Sequence, residues 1–499
     1  MADVARGIGA VVSTQFLSRA VTFALNLAVA RLASPEAYGV GFVSLQLLSN
    51  FVLFFAKEGF RKVALRSGPE GVNRQDALQS AANLGWLGAA CGAVAAVPAA
   101  FYWIQSAPVS ASWTYPGAVL LTAIASVLEG MAEPFFIQTL AAQMFQRRAV
   151  GEAAAMMART FTMFFLTLIW GDVPLAFGAS QLIYSTLWTS WFAWPFLFSA
   201  EKDTRPWLPA TLPGGTRMLE HHWALLLEFG GMVLVKLALT EGEKIMLVLL
   251  FTEEQWGVFG LVSNLGSIIL RLLFAPIEEI AYSVFSSTQG SPSSRDAHLT
   301  LLRALLLLQG GVGWLGLWYG PHFSSFAVRL LYGQAWADSE ASTVLAFYCA
   351  FLCCAAVNGI LEAFMYSQCA PAWVRKCNIW QVGISLLLVG ISWVGRSAGP
   401  RALVVANSVA MLLRAGLGMA FVQAHLQPSA EQLRLQPAGQ LLGLLAIGSL
   451  CPWLLPPIGP LWQRVASVLL AALAICLSLA LCRQELLATL RAVRRSKEK

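Results

Sequence analysis

Ser34-Pro35-Glu36-Ala37-Tyr38-Gly39-Val40 follows the first long apolar run of the chain, and Thr252-Glu253-Glu254-Gln255-Trp256-Gly257-Val258 follows the seventh. Tyr38 falls on Trp256 and Gly39 on Gly257, at one constant offset of 218 residues. The same offset lays the first apolar run on the seventh and the second on the eighth. With six runs between the two starts, both halves enter the membrane in the same direction, so the repeat is parallel. Parallel repeats are related by an axis along the membrane normal, and transporters built from them hold substrate at the repeat interface.

Outward from these two stretches the chain is apolar nearly throughout. Of its 499 residues, 57% are hydrophobic and only 12% charged, with a mean hydropathy of +0.65. A soluble domain carries roughly 25% charged residues, so a secreted or cytosolic protein is excluded. Apolar runs are expected at 9–33, 38–57, 78–104, 115–141, 149–170, 173–199, 223–251, 255–286, 299–320, 339–367, 372–395, 401–425, 438–457 and 461–482. Runs of about 20 residues can cross a hydrocarbon core of ~30 Å as helices. The expected fold is therefore an all-α integral membrane protein of about fourteen transmembrane helices, in two pseudo-symmetric six-helix lobes plus two C-terminal helices. Residues 1–200 form the N-lobe with helices 1–6, and 201–222 a cytosolic linker rich in Pro and Gly. Residues 223–425 form the C-lobe with helices 7–12, and 426–499 carry helices 13–14 and a basic cytosolic tail.

Lys and Arg in short loops set the orientation. One set of loops holds Arg61, Lys62, Arg66 and Arg74, then Arg147 and Arg148, then Lys202, Arg205 and Arg217, and the tail adds Arg491, Arg494, Arg495, Lys497 and Lys499. The opposite loops hold Arg329, Arg396, Arg401 and Arg464, with no Lys or Arg between Gln105 and Tyr115. Both termini are thus expected in the cytosol, which requires an even helix count. Met1–Gly7 is short and a full-length apolar run follows it, so the first run reads as a membrane helix and not as a cleaved leader. The net charge of +7 is mostly this loop bias beside anionic lipid and calls for no nucleic-acid partner. The nine cysteines are mostly inside apolar runs, where Cys behaves as a small hydrophobe, and Cys353-Cys354 has no metal-ligand spacing.

Charges inside the apolar runs cost at least ~2.5–3.5 kcal/mol each at mid-membrane, so each needs a wet cavity or a partner. The cations are Arg19, Arg159, Lys236, Lys244, Arg271 and Arg414. The acids are Glu129, Glu133, Glu152, Glu228, Glu241, Glu243, Glu278, Glu279 and Glu362. Structural pairing is expected for Arg159 with Glu133 or Glu152, and for Lys244 with Glu241 three residues earlier on one helical face. Arg271 lies two turns from Glu278. Arg19 has no acid in its own helix, which points it toward a cavity, and under the repeat offset Lys236 falls one position from it. Two cations at one depth of the two first helices suit an anionic substrate such as a diphosphate. Glycine pairs such as Gly230-Gly231 and Gly310-Gly311 are expected to permit close packing or bending. No GxxxxGK[ST] phosphate loop and no HExxH zinc motif occurs, and no cofactor is expected. The short, charge-poor lumenal loops argue against a glycosyltransferase or any other enzyme.

Several blocks then resemble one family. Lys57-Glu58-Gly59-Phe60-Arg61-Lys62 is similar to the (Arg/Lys)-Glu-x-Phe-Arg-(Arg/Lys) signature of the Rft family. Glu129–Phe135, Leu239–Lys244, Ser263–Glu279 and Asn358–Phe364 look like blocks of the same family, in the same order along essentially the whole chain. The resemblance implies membership of the exporter superfamily that includes MATE transporters and the lipid II flippase MurJ. It also implies a place in the endoplasmic-reticulum membrane and a partner, the dolichyl-diphosphate oligosaccharide with five mannoses and two GlcNAc residues. That lipid would move from the cytosolic to the lumenal leaflet for N-glycosylation. Arg19, Lys236 and Arg271 would hold the diphosphate. Lys57, Glu58, Arg61, Glu241, Lys244, Glu278, Glu279, Asn358 and Glu362 would line the cavity or its gate. One departure is visible at Val43-Ser44-Leu45-Gln46, where some relatives carry a basic residue and Ser44 cannot replace that charge. An accessory factor of dolichol-linked oligosaccharide synthesis that does not itself transport would carry the same blocks. A cation-coupled drug antiporter fits less well, because its cavity would be net negative.

Overall fold

The protein is described by a computed structural model over residues 21–64, 73–110, 112–142, 144–198, 205–212, 215–287, 294–369 and 371–427. Within these residues the chain is helical, without strands. The helices are α1 (Val21–Leu32), α2 (Pro35–Arg61), α3 (Arg74–Gln105), α4 (Tyr115–Ala141), α5 (Phe145–Trp170) and α6 (Val173–Leu197). They continue as α7 (Glu220–Leu250), α8 (Glu253–Ser286), α9 (Ser294–Tyr332), α10 (Ala341–Gln368), α11 (Pro371–Val394) and α12 (Pro400–Leu426). Among the described residues eight helices are long and apolar enough to cross a membrane. The expected helices 13 and 14, the basic tail and Arg19 lie outside the described residues.

Local chemistry sets the helix ends. Ser34 caps α2, its hydroxyl accepting the Ala37 N–H at 3.2 Å, and Pro35 follows in the first turn, where a missing N–H costs nothing. The turn from α5 to α6 is Gly171-Asp172. Gly171 takes φ +68°, the left-handed region, and the Asp172 carboxylate caps α6 by accepting the Leu175 N–H at 3.0 Å. Within α4 the rod breaks at Ala132, because Pro134 next begins a new helical turn and has no N–H to continue the old one. The rod α9 runs 39 residues, far past the expected end at 320, and carries Pro321 inside it. Some 20 residues suffice to span, so α9 exceeds the need of a single crossing.

The chain divides into two compact units, Met1–Gly257 and Val258–Lys499. In the first, α2 packs against α3, α4 and α7, and α5 and α4 pack against α6. An aromatic layer of Phe135, Phe136, Trp188, Phe192 and Phe196 joins α4 to α6. The two repeated stretches meet in this unit: a Cβ on Gly39 would collide with the Glu253 carbonyl, and one on Gly257 with the Pro35 carbonyl. Those two glycines are therefore where the backbones at the starts of α2 and α8 touch. In the second unit α10 is central, packed against α8, α9 and α12, around Phe285, Phe364 and Phe421.

The segment after α6 is anchored. Asn83 on α3 donates to the Ala210 carbonyl at 2.7 Å and accepts the Ala210 N–H at 3.1 Å. Trp86 donates to the Trp207 carbonyl at 2.7 Å, and Ser80 accepts the Leu219 N–H at 3.0 Å while meeting His222 at 2.7 Å.

Candidate functional site: an intramembrane polar ladder

Gln46, Asn50, Lys57 and Arg61 are spaced four, seven and four residues apart along α2. At ~100° per residue they fall within a stripe ~60° wide, and at 1.5 Å per residue the stripe is ~22 Å long. That is most of the depth of the hydrocarbon core. Three other helices answer the stripe with polar side chains of their own.

At one end stand two charged rungs to α4. Arg61 makes a two-pronged contact with Glu133, Nε to Oε2 at 2.5 Å and Nη2 to Oε1 at 2.5 Å. Lys57 donates to Glu129 Oε1 at 2.5 Å and lies 3.9 Å from Glu133. Glu133 is 1% exposed and Glu129 5% exposed, so these carboxylates are tolerable only because the cations neutralise them. Both pairs are separated by 72 residues. An equal offset means that α2 and α4 run in the same direction, as alternate helices of an up-and-down chain must. Aromatic rings back the cations: Lys57 Nζ sits 5.9 Å from the Trp188 ring, and Arg61 Cζ 4.2 Å from Phe136. Gln181 on α6 adds a long contact of 3.4 Å to Glu129.

At the other end the ladder is carried by amides. Arg159 on α5 donates to Gln46 Oε1 at 3.0 Å, and its guanidinium lies 5.0 Å from the Phe177 ring. Gln46 donates to Asn50 at 2.8 Å, and Asn50 donates to Glu241 on α7 at 3.1 Å. Glu241 is closed by Lys244 at 2.9 Å. Lys57, Arg61, Arg159 and Lys244 thus face Glu129, Glu133 and Glu241, which leaves one positive charge in excess. That charge belongs to Arg159, which among the described residues has an amide for a hydrogen-bond partner and no carboxylate.

The expected pairing of Lys244 with Glu241 is present. The expected pairing of Arg159 with Glu133 or Glu152 is not: Glu133 is taken by Arg61, and Glu152 lies 3.8 Å from Arg148 on the exposed side of α5. The four-residue step from Glu129 to Glu133 matches that from Lys57 to Arg61, and this register gives α2 both acids. Arg271 does not meet Glu278. It is exposed, and among the described residues it makes no hydrogen bond or ion pair. Leu270–Phe274 is a π-helical turn. The wider turn changes the angular phase between positions 271 and 278, which a regular helix would put on one face.

Of the remaining sequence-derived residues, Lys236 lies in α7 but its side chain is outside the described residues. Glu58 is half-buried beside the ladder on α2. Glu278 accepts from Gln309 on α9 at 2.8 Å, and Glu279 next to it is exposed. Asn358 is 4% exposed and Glu362 half-buried, both on α10. Ser44 takes no part in the ladder; it is buried and accepts the Trp103 indole N–H at 3.1 Å. Gln46 and Asn50 were missed by sequence reasoning, although their spacing to Lys57 and Arg61 was the available signal.

The family model described as Rft protein matches residues 3–493. The Man(5)GlcNAc(2)-PP-dolichol translocation protein RFT1 of Drosophila melanogaster is 27% identical, over 96% of this chain and 96% of its own. That of Mus musculus is 27% identical over 87% of this chain and 85% of its own. Among solved structures, the lipid II flippase MurJ in an inward closed conformation superposes with a TM-score of 0.64 at 12% identity, covering 96% of this chain and 99% of MurJ. An inward-facing multidrug MATE family transporter gives 0.57 at 13% identity, covering 81% and 94%. These two likenesses concern the fold.

Proposed function

The chain belongs to the Rft protein family, and from that premise we propose that it is a flippase for Man5GlcNAc2-diphosphate-dolichol, a transporter and not an enzyme. The lipid would pass from the cytosolic to the lumenal leaflet of the endoplasmic reticulum in support of N-glycosylation, with both termini of the protein in the cytosol. The relatives' names supply the substrate class. The observation that carries the reading is the polar ladder of the first unit, ~22 Å long by helical rise and one positive charge in excess.

Physical chemistry defines what such a protein must do. Each sugar hydroxyl stripped of water costs roughly 2–7 kcal/mol in an apolar medium, and a diphosphate costs more. Unassisted crossing is therefore negligible, and the protein's task is to replace water along the path. Amides and hydroxyl acceptors replace it for sugars, and cations for the diphosphate, while the dolichol chain stays in lipid. Gln46 and Asn50 offer amide donors and acceptors at the depth where hydrocarbon is driest. Arg159 offers a guanidinium whose hydrogen-bond partner is the Gln46 amide and not a carboxylate, and the planar fork suits phosphate oxygens. With it we assign Arg19, Lys236 and Arg271 to the diphosphate. Lys57, Glu58, Arg61, Glu241, Lys244, Glu278, Glu279, Asn358 and Glu362 are assigned to the cavity or its gate, in a scheme of N-lobe 1–200, linker 201–222, C-lobe 223–425 and C-terminal addition 426–499.

The test is the purified chain in liposomes with the five-mannose lipid, timing its arrival in the opposite leaflet. Faster crossing is expected, and its loss when Arg19, Lys236 and Arg271 are neutralised together. No acceleration by folded protein would sink the flippase reading and favour a supporting role in the same pathway.

A further inference from the structure

Where α5 begins and α6 ends, the two helices leave an open groove of ≈ 680 Å³ between them, within the ~300–1,000 Å³ of ordinary small-molecule sites. The 25 residues of α6 rise about 37 Å against a hydrocarbon core of ~30 Å. Its last turns and the first turns of α5 therefore lie where hydrocarbon gives way to lipid headgroups. Gly151 on α5 makes room for one wall of the groove: a Cβ there would collide with the Trp191 indole of α6. The seated indole donates from Nε1 to the Arg147 carbonyl at 3.1 Å, and Arg147 Nη2 donates in return to the Trp191 carbonyl at 2.8 Å. The guanidinium carbon lies 5.8 Å from the same ring. This reciprocal pair fixes a cation in the groove wall.

Around that cation the lining changes along the helices. Gln146, Ser190 and Trp194 are exposed on it, and among the described residues their side chains make no hydrogen bond to protein. Further into the membrane Val150 and Leu187 present apolar surface, 47% and 44% exposed. Among the described residues the lining holds one cation and no carboxylate. Glu152, on the same helix, is 3.8 Å from Arg148 instead. Interfacial tryptophans alone are ordinary membrane anchors. Here they border a groove with a fixed guanidinium and amide, hydroxyl and indole groups that protein leaves open. The order of the lining, polar and positive at the helix ends and apolar inward, is the order of a phospholipid standing in that leaflet.

We propose that the groove between α5 and α6 binds one anionic glycerophospholipid of the surrounding leaflet. Arg147 takes the phosphate, Gln146, Ser190 and Trp194 the polar headgroup and ester oxygens, and Val150 and Leu187 the first acyl methylenes. Charge-assisted hydrogen bonds from a guanidinium to phosphate are the strong contacts of such a site. The bound lipid bridges α5 and α6 as a fixed part of the structure. It is not the lipid being transported, and the site does not depend on that lipid's identity.

The experiment uses the purified full chain, stripped of co-purifying lipid in detergent, and counts bound lipid by native mass spectrometry. Dioleoylphosphatidylserine is the probe, and dioleoylphosphatidylcholine, with the same acyl chains and no net charge, is the control. The expected result is one phosphatidylserine per chain, saturating at concentrations where phosphatidylcholine does not bind. Arg147→Gln weakens it by at least roughly fivefold, the ~1 kcal/mol that a basic residue contributes against anionic lipid. Val150→Trp, which fills the groove from an exposed position and leaves every charge in place, abolishes it. Arg148→Gln, at the neighbour that meets Glu152, keeps it. Equal uptake of the two lipids overturns the site, as does binding undiminished in both Arg147→Gln and Val150→Trp. Displacement of phosphatidylserine by inorganic phosphate assigns a free anion, and displacement by equimolar dolichyl phosphate assigns the groove to the transported lipid; either overturns the proposal. Absence of any saturable lipid also overturns it and leaves the groove to a protein partner.

Discussion

Glu133 and Arg61 form the most completely sequestered rung of the ladder, a two-pronged contact with the acid 1% exposed. Removing one partner of such a pair leaves a buried charge without compensation, which typically costs about 3–5 kcal/mol. Glu133→Ala should therefore lower the thermal midpoint strongly, while Glu152→Ala, on the exposed Arg148 contact, should leave it nearly unchanged. Melting the two variants side by side in one detergent checks this, and equal midpoints would refute the rung's importance. Glu129 and Glu133 were visible in the sequence as intramembrane acids, and Lys57 and Arg61 only as part of a family signature, with Arg61 counted among the loop cations. Their partnership was not legible, because pairing was sought for Arg159 by proximity along the chain. The decisive cue was register: two cations four apart on α2 and two acids four apart on α4.

The helices themselves were legible because hydrophobic length is a strong signal, and α1–α12 fall where the apolar runs are. Less legible was which glycines let helices approach. Gly310-Gly311 looked like a packing pair, yet nothing lies within 4 Å of a Cβ placed on Gly311. Gly88 on α3 is the opposite case: a Cβ there would run into the Ala56 carbonyl and the Phe60 ring of α2. Since α2 carries the ladder, that contact fixes the helix on which the polar stripe stands. Gly88→Ala should cost about 1–3 kcal/mol through overpacking. Gly311→Ala should be neutral or stabilise by about 0.5–1 kcal/mol, because alanine is the better helix former. Comparative thermal unfolding decides, and a Gly88→Ala protein as stable as the parent would show that α2 and α3 can part without loss. The π-helical turns at Gly39–Leu45 and Leu270–Phe274 were also invisible in the sequence. Their extra residue per turn leaves the apolar pattern nearly intact while turning Arg271 away from Glu278.

For the molecule as a whole, the sequence repeat and the loop charges carry the topology. The repeat was read as an alignment, and the structure adds that Gly39 and Gly257 touch, so the repeated stretch is also a packing device. The linker is the counterexample. A Pro- and Gly-rich segment reads as loose chain, but residues 205–212 and 215–219 are held by side chains of α3, which a composition argument cannot foresee. Orientation follows from the basic loops: the connection after α6 carries Arg205 and Arg217, whereas the connection from α3 to α4 carries no Lys or Arg and presents Val109 at 99% and Trp113 at 91% exposure. An N-glycosylation sequon with flanking spacer placed at Val109 should be glycosylated in cells, because the proposed orientation puts that loop in the lumen where the transferase acts. The same insertion at the exposed Leu208 should remain unmodified, since the proposed orientation puts that segment in the cytosol. A gel-mobility shift sensitive to endoglycosidase reads both. Modification at Leu208 and not at Val109 would invert the protein, putting Arg61 and Glu133 at the lumenal end of the ladder and reversing the direction of entry of the substrate.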